Sequence, residues 1–303
     1  MTTIGKLIIG IFILATLLLL LFFSKKINSS GDSINLVYMP SPSVVPSLAP
    51  KVSSLDLVVE NALLGTNGSD SVYIKNLKNG ESYAKEETKS YQAGSLYKLW
   101  LLGPVFNLIN SEKLALSDEL SDNVGNLNRK YGVDSALTEL PETDTIGMTV
   151  NDAITQMITI SHNYAAMLLL DKLGRTTINS YIKSIGLIDS GLLDLPYTTA
   201  LDTSLFFEKL YKGEILDEVS SSKMLEILKQ QTFNDGLPKY LPKNVVVAHK
   251  TGDIDMFKHD CGIVFSPKSD YIICILSESE FPSGAQERIA QVSKAVYDYF
   301  QTN

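Results

Sequence analysis

A hydroxyl and an amine stand three residues apart in Gly94-Ser95-Leu96-Tyr97-Lys98, at the head of the apolar run Leu96 to Ile109. On a helix, residues i and i+3 share one face, so Lys98 would stand one turn from Ser95. Ser95 would then lie at the helix N-terminus, where unpaired N–H groups and the dipole favour a developing negative charge. Burial depresses a lysine pKa, and a neutral Lys98 could take the serine proton. The pair has the chemistry of a nucleophile with its base. The spacing alone is cheap, since about one match is expected by chance in a chain of this size. Others occur, among them Ser180–Lys183 and Ser220–Lys223.

Two downstream motifs single out Ser95. Ser161-His162-Asn163 comes next and Lys250-Thr251-Gly252 after that, the only K-T-G in the chain. S-x-x-K, S-x-N and K-T-G in this order are the signature set of class A β-lactamases and penicillin-binding proteins. The chain resembles that superfamily, and most closely its class A branch, from about Leu55 to the C-terminus. Thr149 to Ala153 and Ser161 to Ala166 resemble the helix pair that presents the second motif. Leu237-Pro238 and Val246 to Gly252 resemble the approach to the third. The literal S-D-N at Ser121-Asp122-Asn123 comes too soon after Ser95 and reads as a helix connection in a polar stretch. Ser180 and Ser220 come after the S-x-N motif and break the order.

The resemblance implies a role for each residue. Ser95 attacks a carbonyl and Lys98 accepts its proton. Ser161 relays a proton to the leaving nitrogen, and Asn163 bonds the substrate amide or Lys98. Lys250 keeps Lys98 neutral and, with Thr251, holds the substrate carboxylate. The backbone N–H groups of Ser95 and of Asp253, next to Gly252, form an oxyanion hole. Lys258 and His259 are candidates for a second carboxylate contact, weighed against an ordinary solvated strand end. His162 replaces the usual aspartate of the middle motif, and His249 reads as a satisfied core histidine.

The family's E-x-x-L-N loop, whose glutamate activates the deacylating water, has no counterpart. The interval Ile188 to Thr199 holds only Asp189 and Asp194 as carboxylates, both read as loop residues. The expected activity is a serine hydrolase that forms an acyl-enzyme on Ser95 with a β-lactam or related amide, with hydrolysis allowed to be slow. The alternatives are a D,D-carboxypeptidase acting on peptidoglycan peptides and a non-enzymatic penicillin-binding sensor. No cofactor, metal or nucleic acid is expected, and the domain reads as a monomer.

The scaffold for these residues is written in the rest of the 303-residue chain. It is 45% hydrophobic and 20% charged, with net charge -8 and no basic block, a poor match for nucleic acid. Leu7 to Phe23 is an apolar run near the length of a spanning helix, flanked by Lys6 and Lys25-Lys26, with no small-residue cleavage site after it. Residues 1–27 therefore read as an uncleaved membrane anchor, and 28–54, rich in Ser and Pro, as a semi-rigid spacer. The catalytic domain, 55–303, would lie on the extracytoplasmic side of the cell membrane.

Within it, Asn79-Gly80 marks a hairpin between Val72-Tyr73-Ile74 and Ser82-Tyr83-Ala84. Helical patterns fill the middle, with Pro104 expected to kink or interrupt the first long helix. β-rich runs return at Val245–His249, Cys261–Phe265 and Tyr271–Leu276, and an amphipathic helix closes the chain from Gln286 to Phe300. Strands at both ends with helices between predict an α+β fold: an antiparallel sheet built from both termini, flanking helices and an inserted all-helical lobe. Cys261 and Cys274, the only cysteines, read as buried apolar residues, with one disulfide as the alternative.

Overall fold

The last two strands explain the architecture. Along Tyr271–Glu278 apolar residues occupy both faces, and the first seven residues are all buried. Tyr271, Ile273 and Ile275 enter one hydrophobic layer, while Ile272, Cys274 and Leu276 enter another. Such a strand is stable only in the middle of a sheet covered by helices on both sides. The computed structural model describes residues 54–65, 67–133 and 140–302. The expected membrane segment and the spacer up to residue 53 lie outside them. Among the described residues no helix is long and apolar enough to cross a membrane.

The chain begins with α1 (Ser54–Ala62), β1 (Ser69–Asn76), β2 (Ser82–Lys85) and β3 (Tyr91–Gln92). A 3₁₀ turn (Gly94–Lys98) leads into α2 (Leu99–Asn110), and then β4 (Glu119–Asn123), α3 (Val124–Tyr131), β5 (Thr145–Thr149) and α4 (Val150–Thr159). Next come α5 (Asn163–Leu173), α6 (Arg175–Ser184), β6 (Tyr197–Thr198), α7 (Ala200–Tyr211) and α8 (Glu218–Leu228). The closing elements are β7 (Val246–Ile254), β8 (Phe257–Phe265), β9 (Tyr271–Glu278) and α9 (Pro282–Thr302). The main sheet runs β2-β1-β9-β8-β7 and is antiparallel throughout. Both ends of the domain thus build one sheet, as the sequence predicts. Helices α1 and α9 cover one face, and the inserted helical region covers the other.

Four expectations need correction. The inserted region is not all helical: β4 pairs with β5 and β3 with β6. Ser121-Asp122-Asn123 is no helix connection; it lies in β4, where Ser121 faces Gly147 and Asn123 caps α3 by accepting from Asn126 N. Pro104 does not interrupt α2, whose residues Leu99 to Phe106 are all buried. A Cβ on the neighbouring Gly103 would fall 2.0 Å from the Tyr181 hydroxyl oxygen, so α6 packs directly on this glycine. Finally, Cys261 and Cys274 form a disulfide. They are opposite residues of β8 and β9 with their side chains on the same face, which alternation along a strand makes inevitable for such a pair.

Candidate active site

Ser95 occupies the 3₁₀ turn Gly94–Lys98 rather than the first turn of an α-helix. The tighter winding stacks side chains at i and i+3 more closely than an α-helix would, which puts Ser95 and Lys98 on one face of the turn. Gly94 makes the turn possible. Its φ is +49°, and a Cβ there would sit 3.1 Å from Asp253 N. Gly252 completes the close approach, because its own Cβ would lie 2.7 Å from Ala93 O. Two glycines therefore bring the Ser95 turn against β7, the edge strand of the sheet.

Helices α4 and α5 supply the second motif. Thr149 caps α4 by accepting from Asp152 N, and His162 caps α5 through Nδ1, which accepts from Ala165 N at 3.2 Å. An imidazole acceptor at this N-cap does what an aspartate oxygen would do, so replacing the usual aspartate leaves the local fold intact. Ser161, between the two helices, has φ +55°. This is an uncommon conformation for a residue with a Cβ, and such strain persists only where the surroundings enforce it. The enforcing contact is Lys98, whose Nζ donates to Ser161 O at 2.5 Å.

Lys98 Nζ also donates to Asn163 Oδ1 at 2.8 Å and lies 3.2 Å from Ser161 Oγ. From β7, Lys250 Nζ donates to the same Ser161 Oγ at 3.0 Å and to Thr251 O at 2.9 Å. One hydroxyl thus bridges two lysines, both fully buried. Burial, and after it the positive charge of Lys250, hold Lys98 well below the ordinary lysine range. Burial also lowers Lys250, to about 7, with the Asp260 carboxylate pulling in the opposite direction. Only Lys250 has a carboxylate to favour its charge, so the shared proton belongs on Lys250 and Lys98 is the neutral partner. A neutral amine has two N–H donors and one lone pair. Ser161 O and Asn163 Oδ1 take both donors and leave the lone pair to accept a hydroxyl proton.

Ser95, Ser161, Asn163, Thr251, Gly252, Asp253 and Lys258 line a single cleft of ≈ 600 Å³ above these lysines. Lys258 is ion-paired with Asp253, directly opposite it across the β7–β8 hairpin. His259 is not at the cleft. It is 1% exposed, bonds Gln92 O at 2.8 Å through Nε2 and accepts from Ser277 N, and burial lowers it to about 4. His249 is a satisfied core histidine, with Nδ1 2.8 Å from Asp260 Oδ1. The competing serines lie elsewhere, Ser180 on α6 and Ser220 on α8, and neither lines this cleft.

A family model described as the Beta-lactamase enzyme family matches residues 56–300. The chain belongs to that family. A curated relative, Beta-lactamase BRO-1 of Moraxella catarrhalis, is 23% identical over 249 residues, covering 73% of this chain and 76% of that protein. Among solved structures the fold matches PBP-A at a TM-score of 0.72 with 24% identity, covering 82% of this chain and 96% of that one. It also matches a beta-lactamase from Sphaerobacter thermophilus at 0.71 with 22% identity, covering 82% and 97%.

For a beta-lactamase family member, several important residues carry no motif. Asp260, fully buried on β8, ties His249 to the 237 turn by accepting from Leu237 N at 2.9 Å. Ile160, Phe233, Asp235, Pro282, Ser283 and Gln286 form much of the cleft wall. None of the six belongs to one of the three motifs.

Proposed function

We propose that this protein is a serine hydrolase that acylates Ser95 with a β-lactam or a related amide. The observation that carries the reading is the Lys98–Ser161–Lys250 arrangement, whose Ser161 lines the same cleft as Ser95. Neutral Lys98 takes the Ser95 proton as the hydroxyl oxygen attacks the carbonyl carbon. Charge developing on the carbonyl oxygen is met by the N–H groups of Ser95 and Asp253, which the Gly94 contact brings together. The proton then passes from Lys98 through Ser161 to the leaving nitrogen. Lys250 and Thr251 attract the substrate carboxylate, and Asn163 both orients Lys98 and receives the substrate amide. A fluorescent penicillin should label the protein covalently, Ser95→Ala should abolish labelling, and Ser180→Ala and Ser220→Ala should leave it intact. Labelling that survives in Ser95→Ala overturns the assignment.

A second reading, a D,D-carboxypeptidase acting on peptidoglycan peptides, is favoured by the loop from 188 to 199, which places no carboxylate in the cleft. Nitrocefin turnover compared with release of D-alanine separates the two. A labelled protein that does neither is a penicillin-binding sensor. The domain acts outside the cytoplasm as a monomer, anchored by Leu7 to Phe23. The Cys261–Cys274 disulfide supports an oxidising compartment. Full-length protein should resist carbonate extraction from membranes, and a mature protein beginning near Asn28 would show a cleaved signal instead.

A further inference from the structure

Beyond the motif residues, the cleft wall contains the segment from Thr232 to Gly236, and it is held rigidly at both ends. Gln231, 5% exposed, donates to Ile158 O at 2.8 Å and accepts from Thr232 N and Phe233 N through Oε1. Thr232 bonds Thr159 O through both its N–H and its hydroxyl, each at 2.9 Å. At the other end Leu237 N is bonded to the buried Asp260. The segment therefore docks on the C-terminus of α4, beside Ser161. In the proposed mechanism, Ser161 protonates the leaving nitrogen, so this segment lies on the leaving-group side of the cleft.

The segment contributes Phe233, 48% exposed, and Asp235 to that cleft, which Ser283 and Gln286 of α9 also line. Among the described residues three charged side chains line the cleft: Asp235, Asp253 and Lys258. Asp253 and Lys258 neutralise one another. Asp235 has no ion-pair or hydrogen-bond partner among the described residues. Its carboxylate lines the same cleft as the exposed Phe233 ring two residues before it, and a carboxylate and a ring in one cleft attract a cation through charge and ring quadrupole.

We propose that Asp235, with Phe233, is a specificity-determining residue that selects substrates whose leaving group carries an ammonium or other organic cation. This rests on the acylation of Ser95 proposed above. Because the segment is pinned before substrate arrives, little ordering cost offsets the attraction.

Cephalothin and cephaloridine share one acyl side chain and differ at C3, acetoxymethyl in the first and pyridiniomethyl in the second. The ratio of their second-order acylation rates, normalised to Asp235→Asn, reads the subsite. Cephaloridine should be preferred in the native protein, and Asp235→Asn should reduce that preference by about threefold to tenfold, as expected for an exposed ion pair reinforced by a ring. The preference should also shrink with added salt. A ratio unchanged by Asp235→Asn overturns the proposal, whereas failure of both compounds to label Ser95 overturns the acylation reading.

Ser95→Ala protein gives a measurement independent of acylation. It should bind an acyl-D-alanyl-D-lysine peptide more tightly than the same peptide acetylated on its terminal lysine side chain. Equal affinities overturn the proposal where the cephalosporins also show no preference or fail to react, and a preference seen only with the cephalosporins assigns the subsite to β-lactam leaving groups.

Discussion

Benzylpenicillin mixed with this protein should leave its acyl group on Ser95 for seconds to minutes. Water attacks an acyl-enzyme quickly only if a base takes its proton, and such help is worth about a hundredfold to ten-thousandfold. The structure shows where the nearby carboxylates are spent. Asp194 is fully exposed and faces Arg175 at 3.9 Å. Asp189 is exposed, and its backbone N–H bonds Asp202. Asp202 is buried and occupied in holding this loop, accepting from Asp189 N and from the Ser190 hydroxyl. None of the three lines the cleft. Of the two carboxylates that do line it, Asp253 is ion-paired with Lys258 and Asp235 lies on the leaving-group side. What is left is Lys98, neutral again once the serine proton has reached the leaving nitrogen, with no carboxylate dedicated to the attacking water. Reducing a typical turnover of about 10 per second by about a hundredfold to ten-thousandfold leaves an adduct half-life of roughly seven seconds to twelve minutes. Intact-mass spectrometry after mixing should show one added ligand mass decaying on that scale. Asp189→Asn and Asp194→Asn should not change the decay. Turnover faster than about one per second with no accumulated adduct would defeat this expectation, as would a large effect of either substitution.

Three further expectations concern the architecture beneath the site. Lys250 is lowered to about 7 in the fold against 10.5 ordinarily, so between those values the unfolded chain binds a proton that the folded one does not, and stability rises with pH. Native urea midpoints should accordingly climb between about pH 7 and 9.5 relative to Lys250→Met, and a flat or falling difference contradicts the assignment. Gly252→Ala must displace Ala93 O, 2.7 Å from the new Cβ; it should cost about 1–3 kcal/mol of stability and slow acylation about a hundredfold by shifting the oxyanion donors. Gln231→Ala removes one buried and two part-buried hydrogen bonds and should cost about 1–3 kcal/mol by denaturant titration, while loosening Phe233 enough to raise KM for substrates more than it lowers kcat.

The order of the chemistry and the outline of the fold are written in the chain itself. Ser95–Lys98, Ser161–Asn163 and Lys250–Gly252 were legible because each motif is local and its residue types can do little else in that order. The sheet was legible because β7, β8 and β9 carry dense apolar runs and the hairpin after β1 carries Asn79-Gly80. Helices α4 and α5 were legible through their apolar periodicity. What long-range packing decides was not. The Cys261–Cys274 bond depends on register between β8 and β9, which a one-residue slip would abolish. The burial of His259 depends on Gln92, far away in the chain. Weak strands such as β4 and β5 form because a partner is present, not because their own residues favour extension. Above all, the neutrality of Lys98 is a tertiary property. It arises from burial and from a second lysine brought to the same hydroxyl by an edge strand at the other end of the domain, and no local pattern encodes that meeting.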